Sequence, residues 1–370
     1  MAFRRAGTGH PPGPIGSPGM RPMLAVAIPT YHRPDQLEKC VSTIIDSIEK
    51  ASAAGGTIRE ASNVSIVIAD DSADDTNVAV IGALRARYAL IEHHRNPTNL
   101  GIDANIIESV HRCSARYAWI VGEDDRMLAS GISVVLGRLL GDVADAPLLF
   151  VNYRQVDETT TIVTDPAVLR TALPSRIDAA TALARLGWTV GFIGAFVVDT
   201  DRFRAIDSAP YVGSYYAHVG TVFEASAGCQ IAVEMAPQVD NRCGGSAHFT
   251  WSNAALSVMV GFSTMLDVLG QQAGNAYPNT VRAAAAAAFD RRLGWYRPVG
   301  LASLRADGHY DLQAFRSIIA VYPGITRMNR LAAQLIAVLP VAAMRVLKRS
   351  AVFVRDLQRK VSASRLGARA

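Results

Sequence analysis

Three consecutive carboxylates, Glu123-Asp124-Asp125, follow the apolar run Tyr117-Ala-Trp-Ile-Val121 and a glycine, Gly122. An apolar run of that length is that of a buried strand. Gly122 lets the chain turn, so the acids emerge at the strand's C-terminal end. In an open parallel α/β sheet that edge is where ligands bind. Like charges this close repel one another, and a hard divalent cation shared with substrate phosphates would relieve the repulsion. The same acids would equally complement the dipole of a helix near residues 130–140. The neighbouring segments have to decide between the two.

Four strand–helix units position these residues. Leu24–Ile28 reads as a first strand, ended by the turn Pro29-Thr-Tyr-His-Arg-Pro34, because proline cannot continue a central strand. Pro34 opens a helix whose apolar face is Leu37, Val41, Ile44, Ile45 and Ile48. Val64–Ala69 is a second strand, running into Asp70-Asp71 and the helix-capping types Asp74, Asp75 and Thr76. Ala89–His93 is a third, followed by Asn96, Asn99, Gly101 and a helix through Ile106, Ile107 and Val110. The stretch before the three acids is the fourth. Strand alternating with helix in this way predicts a mostly parallel, doubly wound α/β sheet. Neither G-x-G-x-x-G after the first strand nor G-x-x-x-x-G-K-[ST] occurs, which argues against dehydrogenases and P-loop enzymes.

Further on, Leu148–Asn152 reads as a strand, Thr159–Thr164 as a hairpin arm, and Ala180, Leu183, Ala184 and Leu186 as a helix face. Val239–His248 reads as a glycine-bearing polar loop, from which Arg242 could reach a diphosphate and His248 could complete a metal shell. Residues 251–325 read as a helical extension, over Trp251–Leu269, Val281–Trp295 and Leu312–Val321.

Half of the 370 residues are hydrophobic and 19% are charged, a globular composition with neither a fibrous nor a disordered bias. Cys40, Cys113, Cys229 and Cys243 show no C-x-x-C spacing and suit a reducing compartment better than a zinc site or a disulfide framework. Residues 1–22 hold five prolines and five glycines and read as a disordered leader without a signal peptide's apolar core. The net charge of +5 is unevenly placed: from Thr326 onward ten Lys/Arg face one acid, a tail of +9 that leaves −4 for residues 1–325. A basic body that binds nucleic acid is therefore not expected.

Pro29-Thr-Tyr-x-Arg-Pro34, Asp70-Asp-Ser-x-x-Asp-Thr76, Asn96-x-x-Asn-x-Gly101 with Asn105, and Glu123-Asp-Asp125 resemble, in order, the motifs of family 2 glycosyltransferases with the Rossmann-like GT-A fold. The likeness spans roughly residues 23–200. It implies inverting transfer of a sugar from a nucleotide-sugar donor to a glycan or lipid-linked acceptor, in cell-surface polysaccharide synthesis. By position, Pro29, Thr30, Tyr31 and Arg33 would wall the nucleotide pocket, with Asn99, Gly101 and Asn105 beside it. Asp71 would accept from the base, and Glu123 and Asp124 would face the donor, Asp124 near the ribose. Asp125 would bind Mn2+ or Mg2+. Gly187–Val198 is similar to the family's acceptor-side segment, where Trp188 is a candidate sugar-stacking ring.

The family's base is a carboxylate one helix later, yet no acid lies between Asp207 and Glu224. His218, whose ordinary pKa allows it to take a hydroxyl proton near neutrality, is the proposed base, with Asp207 in reserve. The Tyr215-Tyr-Ala-His218 pattern also resembles abequosyl-type deoxysugar transferases. Without a base, the alternative is a catalytically inactive nucleotide-sugar-binding protein. The expected domains are a GT-A unit at 23–250, helices at 251–325 and a basic tail at 326–370. In that tail Leu347, Ala351, Val354, Leu357 and Val361 share a helical face, a pattern suited to an anionic membrane surface. The expected location is cytoplasmic, peripheral on the inner face of the plasma membrane.

Overall fold

The computed structural model describes residues 21–53, 55–56, 58, 63–157, 159–243, 254–293, 297–320, 325–346 and 348. Its centre is the strand β1 (Leu24–Thr30), which is buried along nearly its whole length. Such a strand has to be apolar on both faces, and Leu24, Val26 and Ile28 alternate with Ala25 and Ala27 accordingly. β1 pairs in parallel with β2 (Ser65–Asp70) and β4 (Tyr117–Ile120), and β2 pairs in parallel with β3 (Ile91–Arg95).

The crossovers carry α1 (Pro34–Ala53), α2 (Val78–Arg87) and α3 (Ile102–His111). α1 packs on α2 and on α4 (Gly131–Leu140), while α3 packs on β1, β2 and β4 and on a later helix. Strand order β3-β2-β1-β4 means that the chain walks outward twice and then returns past β1. The C-terminal ends of β1 and β4 therefore flank the switch point of the sheet, where a crevice forms.

Beyond β4 the sheet is mixed. β9 (Phe196–Asp199) lies antiparallel between β4 and β6 (Leu148–Asp157), and β10 (Gln230–Cys243) runs parallel to β6. The short strands β5 (Arg126–Met127), β7 (Val163–Asp165) and β8 (Arg176–Asp178) add antiparallel edges. Two expectations are corrected here. Pro29 lies inside central β1: the Ala27 carbonyl faces β4, residue 29 shares that direction, and β1–β4 pairing has already ended at Ala27–Ile120, so the missing N–H costs no ladder bond. Val239–Cys243, read as loop, is the end of β10; the strand passes Pro237 through a register shift between Glu234 and Val239.

The remaining elements bring the far helices onto this body. α5 (Ala179–Leu186) leads to the turns at Gly187–Gly191, and α6 (Thr200–Arg204) and α7 (Ala217–Ala225) follow β9. α8 (Ala255–Gln272) packs on α7, and α9 (Asn279–Leu293) packs on α5 and Gly187–Gly191. α10 (Pro298–Asp307) packs against α11 (Arg327–Val338). Among the described residues no helix is long and apolar enough to cross a membrane. The basic helical face expected at 347–361 lies outside the described residues.

Candidate active site

The β1–α1 turn is built from Thr30, Tyr31, His32 and Arg33, with His32 in the left-handed region at φ 53° and its N–H donating to Ser72 Oγ at 2.9 Å. That bond ties the first turn to the second. Glu123 reaches into the first turn: its Oε2 accepts from the Thr30 hydroxyl and, at 3.0 Å, from the Tyr31 N–H. Arg33 lies 3.5 Å from Glu123 Oε1 and 3.4 Å from Asp124 Oδ2, so one guanidinium serves both acids. Burial, opposed by these donors, raises the Glu123 carboxyl to a pKa of about 7.

Asp125 is only 4% exposed. Its carboxyl is held well above the usual range, first by burial and then by the charge of Asp124. The Arg242 N–H donates to Asp125 Oδ1 at 3.4 Å, bringing the end of β10 to the acids. A Cβ at Gly122 would lie 2.6 Å from Asp125 Oδ2, so any larger residue there would displace the carboxylate. Behind them Arg126 donates to the Asp125 carbonyl at 2.7 Å and to Gln36 Oε1 at 2.8 Å. Burial lowers its pKa.

The other acid pair is structural in its contacts. Asp70 is fully buried; although burial opposes it, contacts to His93, Ser72 and Asn77 leave its pKa lowered. His93 Nε2 is 3.1 Å from Asp70 Oδ2, and Asn77 donates to Asp70 Oδ1 at 3.0 Å. Asp74 accepts from Thr76 within its own turn, and Asn77 at the start of α2 makes no side-chain cap. Asp71, expected to read the base, is turned into the next loop: Oδ1 accepts from Asn96 Nδ2 at 3.0 Å and Leu100 N at 2.8 Å, and Oδ2 from Gly101 N at 3.0 Å. Asn105 also points inward, donating to the Thr30 and Ala69 carbonyls at 3.3 and 3.2 Å, and Asn99 accepts from Gly101 N at 2.8 Å. These three residues brace the pocket wall.

The geometry argues against both proposed bases. His218 lies at the start of α7 with 1% of its surface exposed, beside Phe196 and Tyr216, and neither ring nitrogen has a hydrogen-bond partner. Burial lowers its pKa to about 3, so it is a neutral imidazole without access to a substrate proton. Asp207 follows α6, which leaves the sheet at the opposite edge: Asp199 pairs with Tyr117, and the Thr200 hydroxyl donates to the Ala115 carbonyl. The exposed Asp207 carboxylate accepts from Ala209 N at 3.2 Å. Trp188 is covered by the Arg292 guanidinium, 4.9 Å from its ring centre, so that face is closed to a sugar. His248 lies outside the described residues.

Sequence reasoning passed over Asp103. Its buried carboxylate collects the N–H groups of Gly213 at 2.8 Å, Tyr215 at 2.9 Å and Ala217 at 3.3 Å, holding the segment before α7 against the first turn of α3. Burial raises its pKa in spite of these donors. Positive φ at Gly213 and Tyr215 aims these amides inward, a signal that residue types alone do not carry.

As a cation site the acids are suitable but incomplete. Buried, mutually repelling carboxylates favour a hard divalent ion with oxygen ligands. Among the described residues, however, no group of three His, Cys, Asp or Glu could hold one alone. The remaining ligands would come from phosphate and water.

Residues 25–194 match the sequence profile of Glycosyl transferase family 2. The chain is 28% identical over 207 residues to abequosyltransferase RfbV of Salmonella typhimurium, a match covering 53% of this chain and 59% of that protein. It superposes on Staphylococcus aureus TarS with a TM-score of 0.50 at 10% identity, covering 85% of this chain and 53% of TarS. With TarS 1–349 the TM-score is again 0.50 at 10% identity, over 89% and 90% of the two chains. At that identity the likeness to TarS is one of fold, the GT-A fold.

Proposed function

We propose that this chain, whose residues 25–194 match the profile of glycosyl transferase family 2, transfers a sugar from a nucleotide-sugar donor to a glycan or lipid-linked acceptor with inversion at the anomeric carbon. The acceptor hydroxyl attacks that carbon, the sugar–phosphate bond breaks, and the nucleoside diphosphate leaves with the bonding pair. The observation that carries the reading is the set of buried acids at the switch point: Glu123 bonded to Thr30 and Tyr31, and Asp125 closed in by Gly122 and Arg242. Asp125 would hold Mn2+ or Mg2+, which when bound supplies charge neutralisation to the leaving diphosphate. Arg33, Tyr31 and Thr30 wall the nucleotide side, and the Arg33 guanidinium lies within 3.5 Å of both Glu123 and Asp124. The similarity to an abequosyltransferase supports a deoxyhexose donor.

The test is transfer or donor hydrolysis across a panel of nucleotide sugars, with Mn2+ and with chelator, for the wild type and Asp125→Asn. We expect turnover only with metal and a loss of at least about 100-fold in the variant, the scale of removing one transition-state charge stabiliser. Equal turnover by the variant would overturn the assignment. The second reading, a nucleotide-sugar-binding protein without catalysis, is favoured by the burial of His218 and the surface position of Asp207. It predicts metal-dependent donor binding, lost in Asp125→Asn, with no turnover in the wild type.

A further inference from the structure

α11 is apolar on two opposite faces. Ala333, Ile336 and Ala337 are buried against the preceding helices, where the Tyr310 hydroxyl donates to the Ala333 carbonyl at 3.0 Å. On the other side Met328, Leu331, Leu335 and Val338 are 76%, 64%, 60% and 57% exposed. Positions i, i+3, i+7 and i+10 fall within about a quarter of a helix circumference, so the four form a continuous ridge along the helix. A helix on a water-facing surface carries polar residues outward. Single exposed leucines are ordinary; four in register mark a surface that meets something apolar.

The charge beside the ridge says what. Exposed Arg327 flanks the ridge on α11 itself, and in sequence residues 326–355 hold six Lys/Arg and no Asp or Glu, of which Lys348 is paired with Asp307. Such a stretch repels basic partners and attracts an extended negative surface. At 1.5 Å per residue α11 is about 18 Å long, too short to span a hydrocarbon core of about 30 Å, so it would lie in the plane of an interface. Apolar ridge and basic flank together are the two components of interfacial helix binding.

We infer that α11 docks the protein on an anionic lipid bilayer, with Met328, Leu331, Leu335 and Val338 inserted among the upper acyl segments and Arg327 among the headgroups. This places the contact on a helix already packed into the fold, ahead of the tail that composition alone singles out. It stands independently of the transferase reading.

Flotation of the full chain with vesicles of phosphatidylglycerol and phosphatidylcholine, against phosphatidylcholine alone, tests it. The bound fraction should be at least about fivefold higher on the anionic vesicles and fall as salt is raised. Leu331→Asp/Leu335→Asp should lower it about tenfold with an unchanged circular-dichroism melting profile. Leu331→Gln/Leu335→Gln, which adds no charge, should lower it in the same direction and stands in if the aspartate pair unfolds. Absence of wild-type binding, or equal binding by the glutamine pair, would overturn the inference. So would a concentration-dependent dimer that the glutamine pair dissolves, since the ridge would then be covered by a second copy of the chain.

Discussion

His218 carries two unpartnered ring nitrogens inside an aromatic cage, and that has a thermodynamic signature. The folded-state pKa is about 3, against about 6.5 for an exposed histidine. Between those values the unfolded chain binds a proton that the folded chain excludes. Stability at pH 8 is therefore free of the penalty, and it is lost as pH falls below about 6.5, reaching on the order of 2 kcal/mol at pH 5. We expect His218→Leu to remove that part of the acid slope, measured as melting temperature against pH, and to leave transferase turnover within a few-fold of wild type. A variant that kept the slope, or lost turnover with its fold intact, would return the residue to the chemistry. At this scale the sequence was legible where side-chain type and strand position coincide. Glu123 is brought to β1's turn, and Asp125 to the end of β10, because an apolar strand is followed by a bend. Asp71 and Asn105 also carry a role that the sequence did not show: they bond to Asn96, Leu100, Gly101 and two carbonyls, and such tertiary bonds leave no trace in local spacing.

Elements meet most tightly where α8 crosses the segment before α7. A Cβ on Gly261 would lie 1.9 Å from the Ser214 carbonyl oxygen and 2.8 Å from its carbon, which is backbone and cannot swing aside. Ser214 is in turn flanked by the amides that Asp103 collects, so the clash would pass into α3. We expect Gly261→Ala to cost about 3 kcal/mol, the upper part of the overpacking range, read as a melting temperature lower by several degrees. An unchanged melt would show that α8 is not seated there. Parallel β1, β2 and β4 could be read from their apolar runs because both faces of each are buried, whereas β3, IEHHR, is fully buried only at Ile91. β10 could not: Glu234, Pro237, Gln238 and Asp240 interrupt its apolar pattern, and it is pairing with β6, β5 and β8, with the Arg154–Asp240 bridge at 2.6 Å, that makes it a strand. β9 was hidden for another reason, since an antiparallel insertion depends on the return path of the chain rather than on its own residues.

Along the sequence, the switch-point acids and the basic tail are separate groups of charge. The body carries −4 and is acidic at the very edge that would take a diphosphate, whereas the +9 lies beyond Thr326. A nucleoside diphosphate approaching Glu123, Asp124 and Asp125 meets like charge that Arg33 offsets only in part. Without a cation, affinity should be poor. Conversely a cation alone finds too few protein ligands, since no described cluster of three completes a shell. Metal and nucleotide should therefore bind as a unit. In a thermal-shift series with UDP, GDP, CDP and dTDP, Mn2+ alone and each nucleotide alone should move the melting temperature little. One nucleotide with Mn2+ should stabilise by about 2.7 kcal/mol when present at 100 times its Kd. Asp125→Asn should abolish the joint shift while leaving the unliganded melt no lower than wild type, because removing a buried, repelled carboxyl relieves strain that the ion otherwise relieves. Nucleotide stabilisation that persists undiminished in chelator would instead place the diphosphate on Arg33 and backbone amides, with Asp125 reduced to shaping the turn.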